Sequence, residues 1–229
     1  MDLVRKERVP EGTVIRTDFQ TKGRGQIGNC WVSDRGENLL FSVILHPSHI
    51  PANNQFILSQ CVALAVRDTV ACFCDAVTVK WPNDVYVGSN KIAGILIENL
   101  LVSKMIETSI VGIGLNVNQT MFVGAPNPTS LKIEIGQECN TDAVLEMFLE
   151  KFKQYYGAVS NDSDAIRIRY EQNLYLLGTP SLFQDCTGVF KGVISSVGED
   201  GRLLIIDENG EHRHYYFKEV EYLHQSSLG

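Results

Sequence analysis

The sequence has little of what marks a membrane, secreted or nucleic-acid-binding protein. None of its apolar runs reaches the roughly 18 residues that a membrane-spanning helix requires. Residues 1–8 are mostly charged and have no apolar core, which is not typical of a secretory signal. The formal net charge is −7, and no block of like charge suggests a nucleic-acid surface. We therefore expect a cytoplasmic protein that binds neither membranes nor nucleic acid.

The six cysteines lack the paired spacing that holds a metal or builds a disulfide framework. Cys72 and Cys74 are two apart, but no second Cys/His pair has a matching spacing. His212 and His214 share one face of a predicted strand, and we interpret all five histidines as structural or surface residues. The simplest prediction is a set of reduced thiols.

The character of the chain changes after Pro180. The 229 residues suffice for one domain of ordinary size and a smaller second one. Beyond Pro180 helical patterns give way to short strands joined by turns, and an Asn-Gly hairpin signal stands at 209–210. This predicts a first domain over residues 1–178 and a small β-barrel over residues 179–229.

Hydrophobic periodicity predicts the individual elements. Residues 1–11 are interpreted as the end of a helix. Strands are expected at 13–19, 38–45, 76–79, 85–87, 91–97 and 105–118, helices at 55–74, 130–135, 141–156 and 164–175, and short strands at 182–183, 189–197, 202–206 and 212–217.

A polar corner, Lys80-Trp81-Pro82-Asn83-Asp84, stands between two apolar strands, with Lys91 seven residues beyond Asp84. Pro82 cannot donate to a sheet ladder, so the first strand ends there. Two lysines, an amide and a carboxylate suit a substrate with phosphates and a metal ion; a solvated hairpin corner is the alternative. A three-residue turn at 88–90 would put Asp84 and Lys91 on opposite faces, roughly 10 Å apart along the strands.

A glycine-rich loop, Gly23-Arg24-Gly25-Gln26-Ile27-Gly28, spells G-x-G-x-x-G but joins two predicted strands. It is therefore not a dinucleotide-binding turn, and it lacks the Gly-Lys-Ser/Thr of a P-loop. Glycines let backbone amides approach an anion, and Arg24 adds a forked donor for phosphate or carboxylate. A mobile surface loop is the alternative interpretation.

Together these motifs resemble those of biotin protein ligases. The chain contains GRGQIGNCW, KWPND, KIAGILIE and GIGLNVN in the family's order and spacing, over Thr13 to Asn118. The resemblance implies an α+β fold: a catalytic domain like that of class II aminoacyl-tRNA synthetases and biotin ligases, with a mixed, largely antiparallel sheet flanked by helices, and a C-terminal SH3-like barrel. It also implies a two-step reaction. Biotin and ATP give biotinyl-5′-AMP, and the biotinyl group then passes to a lysine of a biotin carboxyl carrier domain of a carboxylase.

The resemblance also assigns residue roles. Lys91, Arg24 and Asp84 are the expected catalytic residues. Lys80 and Asn83 are expected at the ATP phosphates, and Asp84 and Asn83 at Mg²⁺. The residues expected to contact biotin or its adenylate are Gln20, Gly23, Arg24, Gly25, Gln26, Trp31, Lys91, Gly94 and Asn116.

Two departures from the family pattern stand out. Many members carry a second arginine where this chain has Gln26, so we expect weaker retention of the adenylate. The family's Ser-Thr-Asn biotin motif would fall just upstream of Met1, so we expect the given start to be internal to a longer protein. The winged-helix DNA-binding domain of the repressor-type ligases is also missing from this sequence.

Two other hypotheses remain open at this level. The chain could be a lipoate ligase or transferase relative, which shares the fold, or a non-catalytic protein that binds biotin or its adenylate. KWPND favours biotin. A homodimer is possible, and the sequence gives no decisive sign of it.

Overall fold

The computed structural model describes residues 9–25, 30–124 and 127–223. The predicted helix end over residues 1–11 and the loop residue Gln26 therefore fall wholly or mainly outside the described residues. The strands are β1 Thr13–Thr17, β2 Gly23–Arg24, β3 Cys30–Trp31, β4 Leu39–Leu45, β5 Val77–Lys80, β6 Asp84–Val87, β7 Asn90–Val102, β8 Met105–Leu115, β9 Ser181–Asp185, β10 Gly188–Val197, β11 Leu203–Asp207, β12 His212–Tyr215 and β13 Glu221–Leu223. The helices are α1 Phe56–Val70, α2 Leu131–Ile135, α3 Thr141–Ala158 and α4 Ser163–Gln172.

Six strands form the main sheet in the order β1-β4-β8-β7-β6-β5. Every neighbouring pair of these strands is antiparallel. Within the described residues, parallel pairing occurs only at isolated bridges, such as that between Lys91 and Pro128. The predicted antiparallel sheet with helices is confirmed.

The two faces of the main sheet have different roles. On β4, Phe41 and Val43 belong to the hydrophobic core, and the Phe41 ring meets Phe148 of α3 edge-on at 5.1 Å. Leu40 and Ile44 are just as buried but point to the other face. Because successive side chains of a strand alternate, one face packs on helices while the opposite face is left for a cleft.

Helix α1 forms the centre of the core. Almost all its side chains are buried, as its apolar sequence predicts. It packs against α3 and α4 and against strands β5, β6 and β7. Helix α3 begins after Asn140, whose side-chain oxygen accepts hydrogen bonds from the amides of Asp142 and Ala143.

The C-terminal strands form a five-stranded sheet in the order β12-β11-β10-β9-β13. This sheet is open, because β12 and β13 lie at opposite edges and no pairing between them occurs in the part of the chain that the structure describes. The prediction of a closed barrel is therefore not confirmed. The segment 216–220 between β12 and β13 turns towards the main sheet, and several of its residues line the cleft described below.

The C-terminal sheet is docked on the Lys80–Asp84 corner. The indole Nε1 of Trp81 donates a 2.9 Å hydrogen bond to the carbonyl of Gly201, in the turn between β10 and β11. A Cβ on Gly201 would lie 2.8 Å from the Phe56 ring. Arg167 of α4 pairs with Glu199 of the same turn at 3.2 Å. The turn therefore contacts both the corner and the helical layer.

Among the residues described, no helix combines the length and apolar character needed to cross a membrane.

Candidate active site

A cleft of roughly 1100 Å³ opens on the face of the main sheet that the helices leave free. It is bounded by the glycine-rich loop, the Lys80–Asp84 corner, strands β4, β7 and β8, and the 217–222 segment. The predicted site residues that line it are Gln20, Arg24, Gly25, Trp31, Lys80, Asn83, Asp84, Lys91 and Gly94.

Asp84 and Lys91 form an ion pair in this cleft, with Lys91 Nζ 2.7 Å from Asp84 Oδ1. The prediction that they point to opposite faces is wrong. Val87 pairs with Asn90, so the turn is shorter than expected, and the register then shifts between the Tyr86–Lys91 and Val85–Ala93 pairs. This β-bulge adds one residue to β7 and reverses the alternation, so Lys91 faces the cleft with Asp84.

Segment 127–129 holds the backbone of Lys91 at the bulge. The Lys91 amide donates to the Asn127 carbonyl at 2.7 Å, and the Thr129 amide donates to the Lys91 carbonyl at 2.9 Å. Asn116 is buried behind this segment, and its Nδ2 donates to the Thr129 carbonyl at 2.9 Å. Asn116 does not line the cleft. It supports Lys91 through segment 127–129.

Lys80 lies on the other side of Asp84. Its Nζ donates to the hydroxyl of Tyr86 at 3.2 Å and lies 4.8 Å from the centre of the Tyr222 ring. Burial lowers the pKa of Lys80, and the Asp84 carboxylate opposes that change. Burial raises the pKa of Asp84, opposed by the Lys91 and Lys80 ammonium groups. The site thus places one carboxylate between two cations.

The donor set of the corner fits a magnesium ion that arrives with phosphates. Asn83 Nδ2 donates to the Ile95 carbonyl at 2.8 Å, so the amide is fixed while it lines the cleft. Mg²⁺ is typically held by one or two carboxylates together with substrate phosphates. Within residues 9–25, 30–124 and 127–223, no group of three or more His, Cys, Asp or Glu side chains could hold a metal. Asp84 and Asn83 therefore suit an ion that substrate phosphates also bind.

The Trp31 ring lies against a pair of glycines. Gly94 and Gly114 are direct cross-strand partners on β7 and β8. A Cβ on Gly114 would lie 2.4 Å from the Trp31 ring, and one on Gly94 would lie 3.1 Å from it. Only glycine admits the indole at this depth. The Trp31 Nε1 is buried and has no hydrogen-bond partner among the described residues, which leaves a donor for a ligand.

The described part of the glycine-rich loop lines the cleft through Arg24 and Gly25. Arg24 pairs with Glu98 of β7 through two hydrogen bonds, at 3.3 and 3.1 Å. Gly23 does not line the cleft, and a Cβ there would lie 2.2 Å from the Trp31 carbonyl oxygen and 2.9 Å from Gln20 Oε1. Gly23 therefore allows Gln20 and Trp31 to approach each other.

Sequence reasoning missed several residues of this site. Glu98 could have been found, because it follows Gly94 by four residues on a strand and so shares its face. Tyr86 could also have been found, since it alternates with Asp84 on β6. No sequence signal places Tyr222 there, because it is 136 positions beyond Tyr86 and reaches the cleft only through the packing of the C-terminal sheet.

Comparison with known proteins gives consistent matches. Residues 1–116 match the model of the Biotin/lipoate A/B protein ligase family. The Bifunctional ligase/repressor BirA of Bacillus spizizenii is 30% identical over 208 residues, which cover 88% of this chain and 63% of that protein. The Biotin–[acetyl-CoA-carboxylase] ligase of Paracoccus denitrificans is 28% identical over 195 residues, covering 81% of this chain and 80% of the relative.

The fold is also shared with solved structures. The biotin protein ligase from Aquifex aeolicus, solved in complex with biotin and ATP, superposes with a TM-score of 0.80 at 27% identity. The match covers 97% of this chain and 94% of that one. The biotin protein ligase from Leishmania major, at 20% identity and a TM-score of 0.60, shows the same fold. The chain spans 63% of the length of the Bacillus spizizenii relative.

Proposed function

Because the chain belongs to the biotin/lipoate A/B protein ligase family, we propose that it is a biotin protein ligase. It activates biotin with ATP to biotinyl-5′-AMP and transfers the biotinyl group to a lysine of a biotin carboxyl carrier domain. The observation that carries the proposal is the pairing of Lys91 with Asp84, next to Trp31 on its glycine floor. The Aquifex aeolicus relative, which holds biotin and ATP in its solved structure, supports it.

In the first step the biotin carboxylate attacks the α-phosphorus of ATP and expels pyrophosphate. Two anions must approach each other, so fixed cations lower the barrier. Lys91 is held by its backbone at the bulge and is proposed to contact both the carboxylate and the α-phosphate. Lys80 is proposed to contact the departing phosphates. Mg²⁺ held by Asp84 and Asn83 would supply further neutralisation of the phosphates.

Arg24 and the glycine-rich loop are proposed to cover the adenylate. A mixed anhydride hydrolyses in water, so the site must exclude water until the acceptor arrives. Trp31 closes one side, and its unpartnered Nε1 is available to the ligand. Arg24 is 66% exposed and bound to Glu98, and it is proposed to exchange this carboxylate for the adenylate phosphate.

In the second step the acceptor lysine attacks the acyl carbon and expels AMP. The attacking amine must be neutral. Asp84 is proposed to orient this amine and to accept its proton, and the burial that raises the pKa of Asp84 makes it a better base than an exposed aspartate. The antiparallel sheet packed on helices is also the basis for proposing kinship with class II aminoacyl-tRNA synthetases.

The proposal is tested by pyrophosphate release from biotin and MgATP, followed by streptavidin blotting of a purified carrier domain. Lys91→Ala should lower the rate of pyrophosphate release by roughly 100-fold or more, because a fixed charge at the reacting phosphate is lost. Lys153→Ala, on the exposed face of α3, is the matched control. Label taken from lipoate in place of biotin would point to the lipoate branch, and binding of biotin without pyrophosphate release would point to a non-catalytic protein.

A further inference from the structure

The ammonium group of Lys80 lies between two aromatic rings in the cleft. Lys91 is paired with Asp84, and Arg24 with Glu98. Lys80 instead lies within 4.9 Å of the Tyr86 ring centre and 4.8 Å of the Tyr222 ring centre. Among the described residues, its one hydrogen-bond acceptor is the neutral Tyr86 hydroxyl at 3.2 Å.

The Tyr222 ring is itself fixed by its neighbours. Tyr222 pairs with Phe183 across β13 and β9, and the two rings meet edge-on with centres 5.4 Å apart. The Tyr175 ring lies 6.4 Å away on another side. The Tyr222 hydroxyl is buried and lacks a hydrogen-bond partner within the described residues, so no polar contact explains its position. The ring face is what Tyr222 offers to Lys80.

A carboxylate and an aromatic ring hold a lysine with different consequences. A carboxylate neutralises the ammonium group, whereas a ring attracts it through its quadrupole without adding a negative charge. A lysine held between aromatic rings also loses less side-chain entropy when it binds an anion, because its rotamers are already restricted. An ammonium group held by rings next to a cleft is therefore prepared for an anionic ligand.

We propose that Tyr222, supplied by the C-terminal sheet, is a positioning residue that holds the Lys80 ammonium group for the pyrophosphate portion of the nucleotide. The proposal rests on the proposed ligase function. It assigns to the last described strand a part in nucleotide binding that the motifs of the first domain do not reveal. Lys80 touches the phosphates, and Tyr222 acts through Lys80.

The first experiment compares Tyr222→Leu with Tyr222→Phe in the full-length protein. Loss of the ring should raise the KM for MgATP and the Kd for pyrophosphate roughly threefold to thirtyfold, as expected for one cation–π contact. The KM for biotin should stay within about twofold, because the contact lies at the phosphates. Tyr222→Phe keeps the ring face and should restore the wild-type KM for MgATP. Tyr216→Leu is the matched control, since that ring is 55% exposed and lies over Arg202 outside the cleft.

A double-mutant cycle with Lys80→Met separates positioning from general stability. If Tyr222 acts through Lys80, Tyr222→Leu should add nothing to the pyrophosphate Kd of Lys80→Met. Additive effects would overturn the proposal. So would a Tyr222→Phe variant as impaired as Tyr222→Leu, because the hydroxyl rather than the ring would then matter.

A fluorinated series removes the risk that Tyr222→Leu fails to fold. Successive fluorination of phenylalanine at position 222 weakens the ring quadrupole with little change in volume. The Kd for pyrophosphate should rise with each fluorine, and a flat series would refute the ring contact. The protein could bind pyrophosphate, with a Kd that rises through the fluorinated variants, and yet make no biotinyl-AMP. The ligase proposal would then fail, while the positioning contact would stand.

Discussion

At the scale of single residues, the shape of the cleft is set by side chains that are absent. Gly94 and Gly114 face each other on neighbouring strands, and the Trp31 indole occupies the space that two Cβ atoms would fill. The floor of the cleft is therefore backbone. A substitution there changes the position of the indole without removing any chemical group.

Gly114→Ala should weaken biotin binding by roughly tenfold or more, because overpacking a rigid contact costs about 1–3 kcal/mol. The added Cβ would lie 2.4 Å from the Trp31 ring, and the indole must move. Gly94→Ala is the graded control, since its Cβ would lie 3.1 Å from the ring. Titration calorimetry with biotin measures both variants. Equal losses of affinity would show that the indole is not the cause.

The sequence identified the chemical groups of the site better than their contacts. Lys91, Asp84, Trp31 and Gly94 do meet in one cleft. Arg24 was expected at the adenylate, and its partner Glu98 was not foreseen. A one-dimensional pattern names residue types, but a contact between β2 and β7 depends on how a loop folds back over the sheet.

At the scale of elements, a short segment outside the main sheet fixes the most important lysine. Segment 127–129 forms a parallel bridge to Lys91, and Asn116 holds that segment from behind. The GIGLNVN motif thus contributes here through a buried amide. The sequence placed Asn116 at the ligand, whereas the structure gives it a supporting position one step away.

Asn116→Ala should lower the rate of biotinyl-AMP formation by roughly 10- to 100-fold, because small misplacement of a reacting group is costly. The Thr129 carbonyl would lose its buried donor, and the Lys91 backbone would lose its support. Asn118→Ala is the matched control. That asparagine also ties down a loop, by hydrogen bonds with Cys139 at 3.0 and 2.9 Å, but it does not hold segment 127–129. Pyrophosphate release and thermal unfolding of both variants separate catalysis from stability.

Strand β9 should make the folded state sensitive to acid. The hydroxyl of Thr187, followed by Tyr215 and Arg213, lowers the pKa of Asp185 to about 2. An aspartate whose pKa is lowered by folding stabilises the folded state at pH values above its unfolded-state pKa of about 3.9. That contribution disappears as the pH falls through the folded-state pKa of about 2. The difference in unfolding free energy between wild type and Asp185→Asn should therefore shrink between about pH 4 and pH 2. Denaturant titrations across this range measure it.

Thr187→Val is the companion variant for this titration. It removes the 2.6 Å hydrogen bond from the Thr187 hydroxyl but keeps the carboxylate. Its pH dependence should fall between those of wild type and Asp185→Asn. If the difference in unfolding free energy between wild type and Asp185→Asn stayed constant from about pH 4 to pH 2, the lowered pKa of Asp185 would be contradicted.

Helices and strands could be predicted where the local hydrophobic periodicity determines them. The pairing of strands at the edges of a sheet could not. The long helices begin and end within a few residues of their predicted limits, because one apolar face per helix is enough to mark them. The C-terminal strands were also foreseen, with the exception of β13. Closure of a barrel depends on whether the first and last strands pair, and hydrophobic patterning carries no such information.

At the scale of the whole molecule, the cleft belongs to both parts of the chain. Trp81 bonds to Gly201, Arg167 pairs with Glu199, and the 217–222 segment forms one wall. A substitution that destabilises the C-terminal sheet should therefore also alter the structure of the Lys80–Asp84 corner. Predicted domain boundaries say nothing about such docking, because it involves residues more than 100 positions apart.

Gly201→Ala should lower both stability and the affinity for MgATP, whereas Gly210→Ala should lower stability alone. Both glycines have positive φ, +83° and +81°, so alanine is strained at each by about 1–2 kcal/mol. Only at position 201 would the Cβ also press on Phe56, at 2.8 Å, and disturb the Trp81 contact. Chemical denaturation and MgATP titration of the two variants make the comparison. Loss of MgATP affinity in both would mean that the docking turn has no special role.

The bulge at Lys91 has a consequence for how related sequences are aligned. The facing of Lys91 depends on the number of residues between Asp84 and Gly94, which pair directly, and less on which residues those are. A relative that is one residue shorter in this hairpin would keep a lysine in the alignment column and turn it towards the helices. A gap placed between positions 85 and 93 is therefore as strong a reason to doubt shared activity as the replacement of Lys91 itself.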